Sequence, residues 1–234
     1  MLPPITIVLQ TYKRTDCAVR TVRAANARLR YAGALGWYVA DDGSPPEHLD
    51  AVLDVLHDTL LPEGSGGPSA FHGRHSERRG YGANANAAWD AADAWSPLTL
   101  WLEDDWELTE ALDLTPYAQA LADDEIGMVR LGYLNRGIAA SSVAAAGRLY
   151  WRLYHEPVEP VELVFTGHPS LRHTRYRDAY GRYPEGLGPG DTELGYAYQY
   201  RIGRTGAPWI VWPTDYPAMG RWAHIGSIKT ETLL

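Results

Sequence analysis

The chain has 234 residues, is 45% hydrophobic and 21% charged, and carries a net charge of −8. That length supports one substantial core, no apolar run approaches the roughly 20 residues a membrane span needs, and the acidic balance excludes broad electrostatic binding to duplex nucleic acid. Cys17 is the sole cysteine, which rules out an intrachain disulfide and fits a reducing, cytoplasmic setting, and Met1-Leu2-Pro3-Pro4 lacks the charged start of a signal peptide.

In chain order, Ile5-Thr6-Ile7-Val8-Leu9 is a first strand that ends in the polar turn Gln10 to Arg14. A helix is predicted from about Thr15 to Tyr31, capped by Thr15 or Asp16, with Ala18, Val22, Ala25 and Leu29 on its buried face. A second strand, Gly36 to Ala40, leads into Asp41-Asp42-Gly43-Ser44. Ser44-Pro45-Pro46-Glu47 reads as a capping box opening a helix whose stripe is Leu49, Val52, Leu53, Leu56 and Leu60. The Gly/Pro-rich run over 62–68 is a loop, 69–72 a short strand, and 81–95 a helix of small residues.

Leu98 to Leu102 is the next strand, running into Glu103-Asp104-Asp105. Further strands are expected at 126–134, 148–154, 162–165 and 209–212, with a helix at 190–200. The β-α-β-α-β-α-β order of the first hundred residues implies an α/β fold with a largely parallel sheet. Nine tryptophans and fifteen tyrosines against two phenylalanines fit either a carbohydrate-handling surface or a core that happens to use these rings.

Two acidic clusters, each directly after a buried-strand pattern, are the most telling feature. Ligands of open α/β sheets collect beyond the carboxyl ends of strands. Glu103 and Asp105 alternate along an extended segment, which puts them on one face with Asp104 pointing away. Hard carboxylate oxygens there suit Mg²⁺ or Mn²⁺.

The ordered set Thr11-Tyr12-Lys13-Arg14, Asp41-Asp42-Gly43-Ser44, Gly82-Ala83-Asn84-Ala85-Asn86, Glu103-Asp104-Asp105 and Gly190-Asp191-Thr192-Glu193-Leu194 resembles the GT-A-fold glycosyltransferases, specifically the large family 2 of nucleotide-sugar-dependent enzymes. Glu103 departs from the aspartate usual at its position, and Gly190 from an acidic residue. The resemblance covers nearly the whole chain. It implies one GT-A domain with a mostly parallel mixed sheet, residues 1–110 forming the nucleotide-sugar half and 111–234 the acceptor half.

It further implies an inverting transfer from a nucleoside-diphosphate sugar, a uridine-type donor first, to a hydroxyl acceptor. Thr11, Tyr12, Arg14, Asp41, Asp42, Arg79, Asn86, Glu103 and Asp104 are then nucleotide-sugar contacts, with Gly167 and His168 of a glycine loop near the donor sugar. Arg78 joins Arg79 as a diphosphate candidate. Asp105, Glu103 and His224 are the metal set, and Asp191 is the expected base with Glu193 its substitute.

The acceptor is a saccharide first, with a protein side chain or a hydroxylated DNA base as alternatives. The segment from Leu171 to Tyr183, with Tyr176, Tyr180 and Tyr183, is expected to flank it. A sugar-phosphate nucleotidyltransferase is a second reading, disfavoured because the Thr11–Arg14 turn lacks phosphate-loop glycines. A non-catalytic nucleotide-sugar-binding module is a third.

Overall fold

The uninterrupted apolar and β-branched run at the start forms β1 (Ile5–Thr11), buried along its whole length as a central strand must be. The computed structural model describes residues 2–59, 70–74, 77–133, 139–154, 167–203, 208–217 and 220–226. After β1 come α1 (Thr15–Arg28), β2 (Leu29–Arg30), β3 (Leu35–Asp41), α2 (Pro46–Thr59), β4 (Ala70–Arg74), α3 (Tyr81–Asp93) and β5 (Leu98–Glu103). The second half contains β6 (Trp106–Leu108), β7 (Leu112–Asp113), α4 (Thr115–Ala120), β8 (Ile126–Arg130), β9 (Ala139–Ala145), β10 (Arg148–Tyr154), β11 (Ser170–His173), α5 (Thr174–Tyr180), α6 (Pro189–Gly203), β12 (Trp209–Pro213) and β13 (Trp222–His224).

One nine-stranded sheet runs β4-β3-β1-β5-β11-β8-β12-β10-β9. β4, β3, β1 and β5 are mutually parallel. β11 then enters antiparallel between β5 and β8, and β10 pairs antiparallel with both β12 and β9. The chain leaves β1 toward β3 and β4 and returns on the other side as β5. The carboxyl ends of β1, β3 and β5 therefore meet where the strand order reverses, the place such sheets bind ligands.

Local detail departs from the pattern in places. Helix α1 stops at Arg28 because Leu29 and Arg30 pair with β7. Thr15 is its first helical residue, and the flanking residue is Arg14. Helix α2 starts at Pro46, one residue later than the capping box requires, and the Ser44 hydroxyl accepts from the Lys13 amide at 2.8 Å. Leu49, Val52 and Leu56 are buried as expected, joined by Val55, while Leu53 is half-buried.

Strand β8 ends at Arg130 rather than 134. The expectations at Leu60, the loop 62–68 and the strand 162–165 fall outside the described residues. Most of the aromatic excess is core: Trp37, Trp89, Trp101, Trp106, Trp212 and Trp222 are all buried. Tyr176, Tyr180 and Tyr183 are buried too, so the expectation that they flank an acceptor fails. Tyr183 packs on Trp89 and Tyr196 with centroids 5.0 and 4.5 Å apart.

Candidate active site

The strand ends open into a cavity of about 600 Å³, lined among others by Tyr12, Arg14, Asp42, Glu103, Asp105 and Glu193. Its size is within the range of small-molecule sites. Three turns, after β1, β3 and β5, build much of its lining.

After β1 the chain bends sharply, and Lys13 adopts φ 60°. That left-handed conformation costs a non-glycine residue on the order of 1–3 kcal/mol. Beyond β3, Asp41 is fully buried and accepts from the Ser44 amide at 3.1 Å, closing its own turn rather than facing the cavity. Gly43 follows at φ 82°, and a Cβ there would lie 2.8 Å from the Arg78 amide nitrogen, so only glycine fits.

Asp42 accepts from the amides of Arg79 and Gly80 at 2.8 and 3.0 Å. The Arg78 guanidinium lies 4.5 Å from the Tyr12 ring centroid and 3.9 Å from Asp42 Oδ2. The Arg79 side chain is exposed, so Arg79 acts here through its amide.

The acidic turn after β5 differs from its sequence pattern. The strand ends at Glu103 and the chain turns at once, so alternation stops there. Asp104 does not point away. It is fully buried and accepts from the Thr11 hydroxyl at 2.8 Å and the Tyr12 amide at 3.2 Å, and it pairs with Arg14. Burial raises its pKa to about 6, with Arg14 pulling the other way.

Asp105 Oδ2 meets Arg14 and lies 3.2 Å from His224 Nε2, while Oδ1 is buried with no hydrogen-bond partner. His224 arrives from far along the chain because β13 pairs with β6, in a register that sets His224 opposite Trp106. Gly226 sits so close that a Cβ would come within 2.3 Å of Asp105 Oδ2.

On the far wall, Glu103 Oε1 accepts from the Tyr81 hydroxyl at 2.7 Å, and the Gly167 amide donates to Glu193 Oε1. A Cβ on Gly167 would lie 2.1 Å from Glu103 Oε1 and 2.7 Å from Glu193 Oε1, so both carboxylates press on this one glycine. Burial pushes both glutamates above the ordinary range, and Glu193 adds to the rise at Glu103. The buried guanidiniums of Arg172 and Arg130 oppose the rise at Glu193.

Arg130 also lies 3.2 Å from His168 Nδ1, and the Leu131 amide bonds the Pro169 carbonyl at 2.8 Å. These contacts fix the 167–169 loop. His168 itself packs between Trp106 and Tyr133, with centroids 4.8 and 4.2 Å away, beside rather than within the cavity lining.

The structure therefore gathers Thr11, Tyr12, Arg14, Asp42, Glu103, Asp104, Asp105, Glu193 and His224 around one hollow. It leaves Asp191 exposed on the first turn of α6, outside the lining. Asn86 is also elsewhere: its side chain bonds both the amide and the carbonyl of Tyr183, and it meets Glu185 at 2.8 Å.

Sequence reasoning missed Gln10, Tyr81 and Asn84 as lining residues, and Arg130 and Arg172 as buried cations. Arginines inside apolar strand patterns were the available signal for the last two.

For a divalent cation the fit test rests on Asp105. An orphaned, buried carboxylate oxygen beside an imidazole is the donor set such an ion takes. Among the described residues no three carboxylate, imidazole or thiol groups already form a cluster.

No protein-family model and no curated protein matches the chain. Solved structures do. A mannosyltransferase of Pyrobaculum calidifontis, PcManGT, in complex with GDP-Man and Mn²⁺, superposes with TM-score 0.60 at 16% identity over 92% of this chain and 56% of its own. TarS of S. aureus (residues 1–349) gives TM-score 0.57 at 13% identity over 90% and 58%. GalNAc-T7 with UDP, GalNAc and Mn²⁺ gives 0.57 at 16% over 91% and 42%. The fold is thus the GT-A fold of these glycosyltransferases. The chain spans between 42% and 58% of their lengths.

Proposed function

We propose that the chain is a metal-dependent, inverting glycosyltransferase that moves a sugar from a nucleoside-diphosphate donor, uridine-linked first, to a hydroxyl acceptor, a saccharide first. One observation carries this reading: the ends of β1, β3 and β5 and the first turns of α6 surround one cavity whose lining includes both Asp42 and Glu193. The GT-A fold supports it.

Tyr12 and Asp42 are the base contacts we propose. Each Asp42 oxygen spends one lone pair on a loop amide, which fixes the carboxylate and leaves a second lone pair for an imide N–H. Asp105 and His224 would hold the cation, whose chemistry is to take up negative charge on the departing diphosphate. Arg14 orients Asp105 from the donor side.

At the anomeric carbon, the bond to the diphosphate oxygen breaks as the bond to the acceptor oxygen forms. The acceptor proton passes to Glu193. This residue, rather than Asp191, is the base we propose, because it lines the cavity and is held by the Gly167 amide. Residues 1–110 serve the donor in this scheme, and residues 111–234 supply the base, His224 and the acceptor wall.

The test is turnover of uridine- and guanosine-diphosphate sugars with Mn²⁺, with and without saccharide acceptors. Asp105→Asn is expected to lose on the order of 10³-fold in rate while staying folded. Full activity in that variant on a genuine substrate pair overturns the assignment.

A further inference from the structure

His48, in the first turn of α2, is 2% exposed and makes two side-chain hydrogen bonds, one to the end of β1 and one to the start of α1. Its Nε2 lies 2.8 Å from the Thr11 hydroxyl, and its Nδ1 lies 2.8 Å from the Thr15 hydroxyl. The proton count fixes the directions. Thr11 gives its only hydroxyl proton to Asp104 Oδ2, so His48 Nε2–H donates to Thr11, and in the neutral ring Nδ1 accepts from Thr15. Burial favours this neutral ring, against the pull of Asp41.

Thr11 and Thr15 bracket Tyr12, Lys13 and Arg14, the turn whose middle residue is at φ 60°. The same helix entrance supplies Ser44, which accepts from the Lys13 amide at 2.8 Å. The turn is thus gripped at both ends and in the middle from the segment that follows β3. A residue held in the left-handed region persists only when its surroundings over-determine it, and these contacts do so.

We propose that His48 is a positioning residue: a buried clamp that holds the strained Tyr12-Lys13-Arg14 turn in the shape a bound nucleotide meets. It touches neither the cavity nor any reacting group. Its effect reaches Tyr12 and Arg14 through the turn, and Asp104 through Thr11. The ligand part of this inference rests on the nucleotide reading above; the structural part does not.

Two measurements test it. In the unliganded protein, hydrogen exchange should quicken at least tenfold at the Tyr12 and Lys13 amides in His48→Ala, with β1 amides such as Val8 unchanged. Equal exchange in variant and wild type, or acceleration spread evenly over β1, overturns the clamp.

In calorimetry with UDP and Mn²⁺, His48→Ala should weaken binding about tenfold while kcat at saturating donor changes less than threefold. His48→Gln, which restores a donor toward Thr11, should recover part of that affinity. Lys13→Gly in the His48→Ala background should recover part too, because glycine reaches the left-handed region without a clamp. Faster exchange with unchanged UDP affinity, or no recovery in either rescue variant, overturns the positioning role. If wild type itself binds no UDP, the nucleotide reading has failed, and the exchange result still decides the clamp.

Discussion

The carboxylates around the cavity are held in different ways. Asp42 and Asp104, which follow β3 and β5, each accept from at least one backbone amide, and Asp104 also pairs with Arg14, although burial still raises Asp104 to about 6. Glu103 takes one hydrogen bond from Tyr81 and Glu193 one from Gly167, and burial drives both toward the protonated form. Hydrogen bonding fixes a carboxylate in its charged form, whereas desolvation with few partners makes it ready to receive a proton. The proposed reaction asks for both environments: Asp42 is held by two loop amides, and Glu193, on α6, by one.

The sharpest way to break this contrast is at α6. Glu193→Gln keeps size and a hydrogen bond but cannot take the acceptor proton, so kcat should fall about 10²–10⁴-fold with donor affinity little changed. Asp191→Asn, two residues away and exposed, should stay within about twofold of wild type. Steady-state kinetics on both variants decides the matter. A large loss in Asp191→Asn with a small one in Glu193→Gln would reverse the assignment.

Gly167 comes next in expected effect. Its missing side chain is what lets Glu103 and Glu193 close on one backbone position, 2.1 and 2.7 Å from where a Cβ would stand. The atoms in the way are ends of flexible side chains, so Gly167→Ala should fold with a Tm near wild type. The carboxylates must move, and displacement on the order of 1 Å costs roughly 10²-fold in rate. Unchanged rates with a clear drop in Tm would make Gly167 a packing residue instead.

These residues also show what the sequence displayed and what it hid. The parallel half was legible because β1, β3 and β5 are apolar runs of ordinary length and each ends in polar residues. The four-residue β11, inserted antiparallel between β5 and β8, is too short to give a period. The choice between Asp191 and Glu193 was hidden for another reason. Two residues lie about 200° apart around a helix, and the apolar residues of α6 mark no clear stripe, so nothing in the sequence says which carboxylate faces inward. The alternation argument for Glu103 and Asp105 failed at a turn, where a period of two no longer applies. His224 reached Asp105 through a three-residue ladder that only its motif context had suggested.

The smallest expected effect concerns His168, which packs against Trp106 and Tyr133 beside the cavity lining. Burial, and then the nearby charges of Arg130 and His224, depress its pKa to about 3. In the unfolded chain it titrates near 6.5. A folded pKa below the unfolded one means that the unfolded state binds the extra proton first. This histidine's contribution to stability is therefore complete above about pH 6.5, and is lost as pH falls from there toward about 3. Over that window the slope is at most one proton, about 1.4 kcal/mol per pH unit.

His168→Gln removes the titration together with the ring packing on Trp106 and Tyr133. The variant should melt below wild type at pH 7.5, and the gap should narrow steadily as the pH is lowered toward 5. The carboxylates common to both proteins cancel in that difference. A gap that stays constant across the range would mean that the imidazole is not held neutral, and that the 167–169 loop is more open to water than its packing shows.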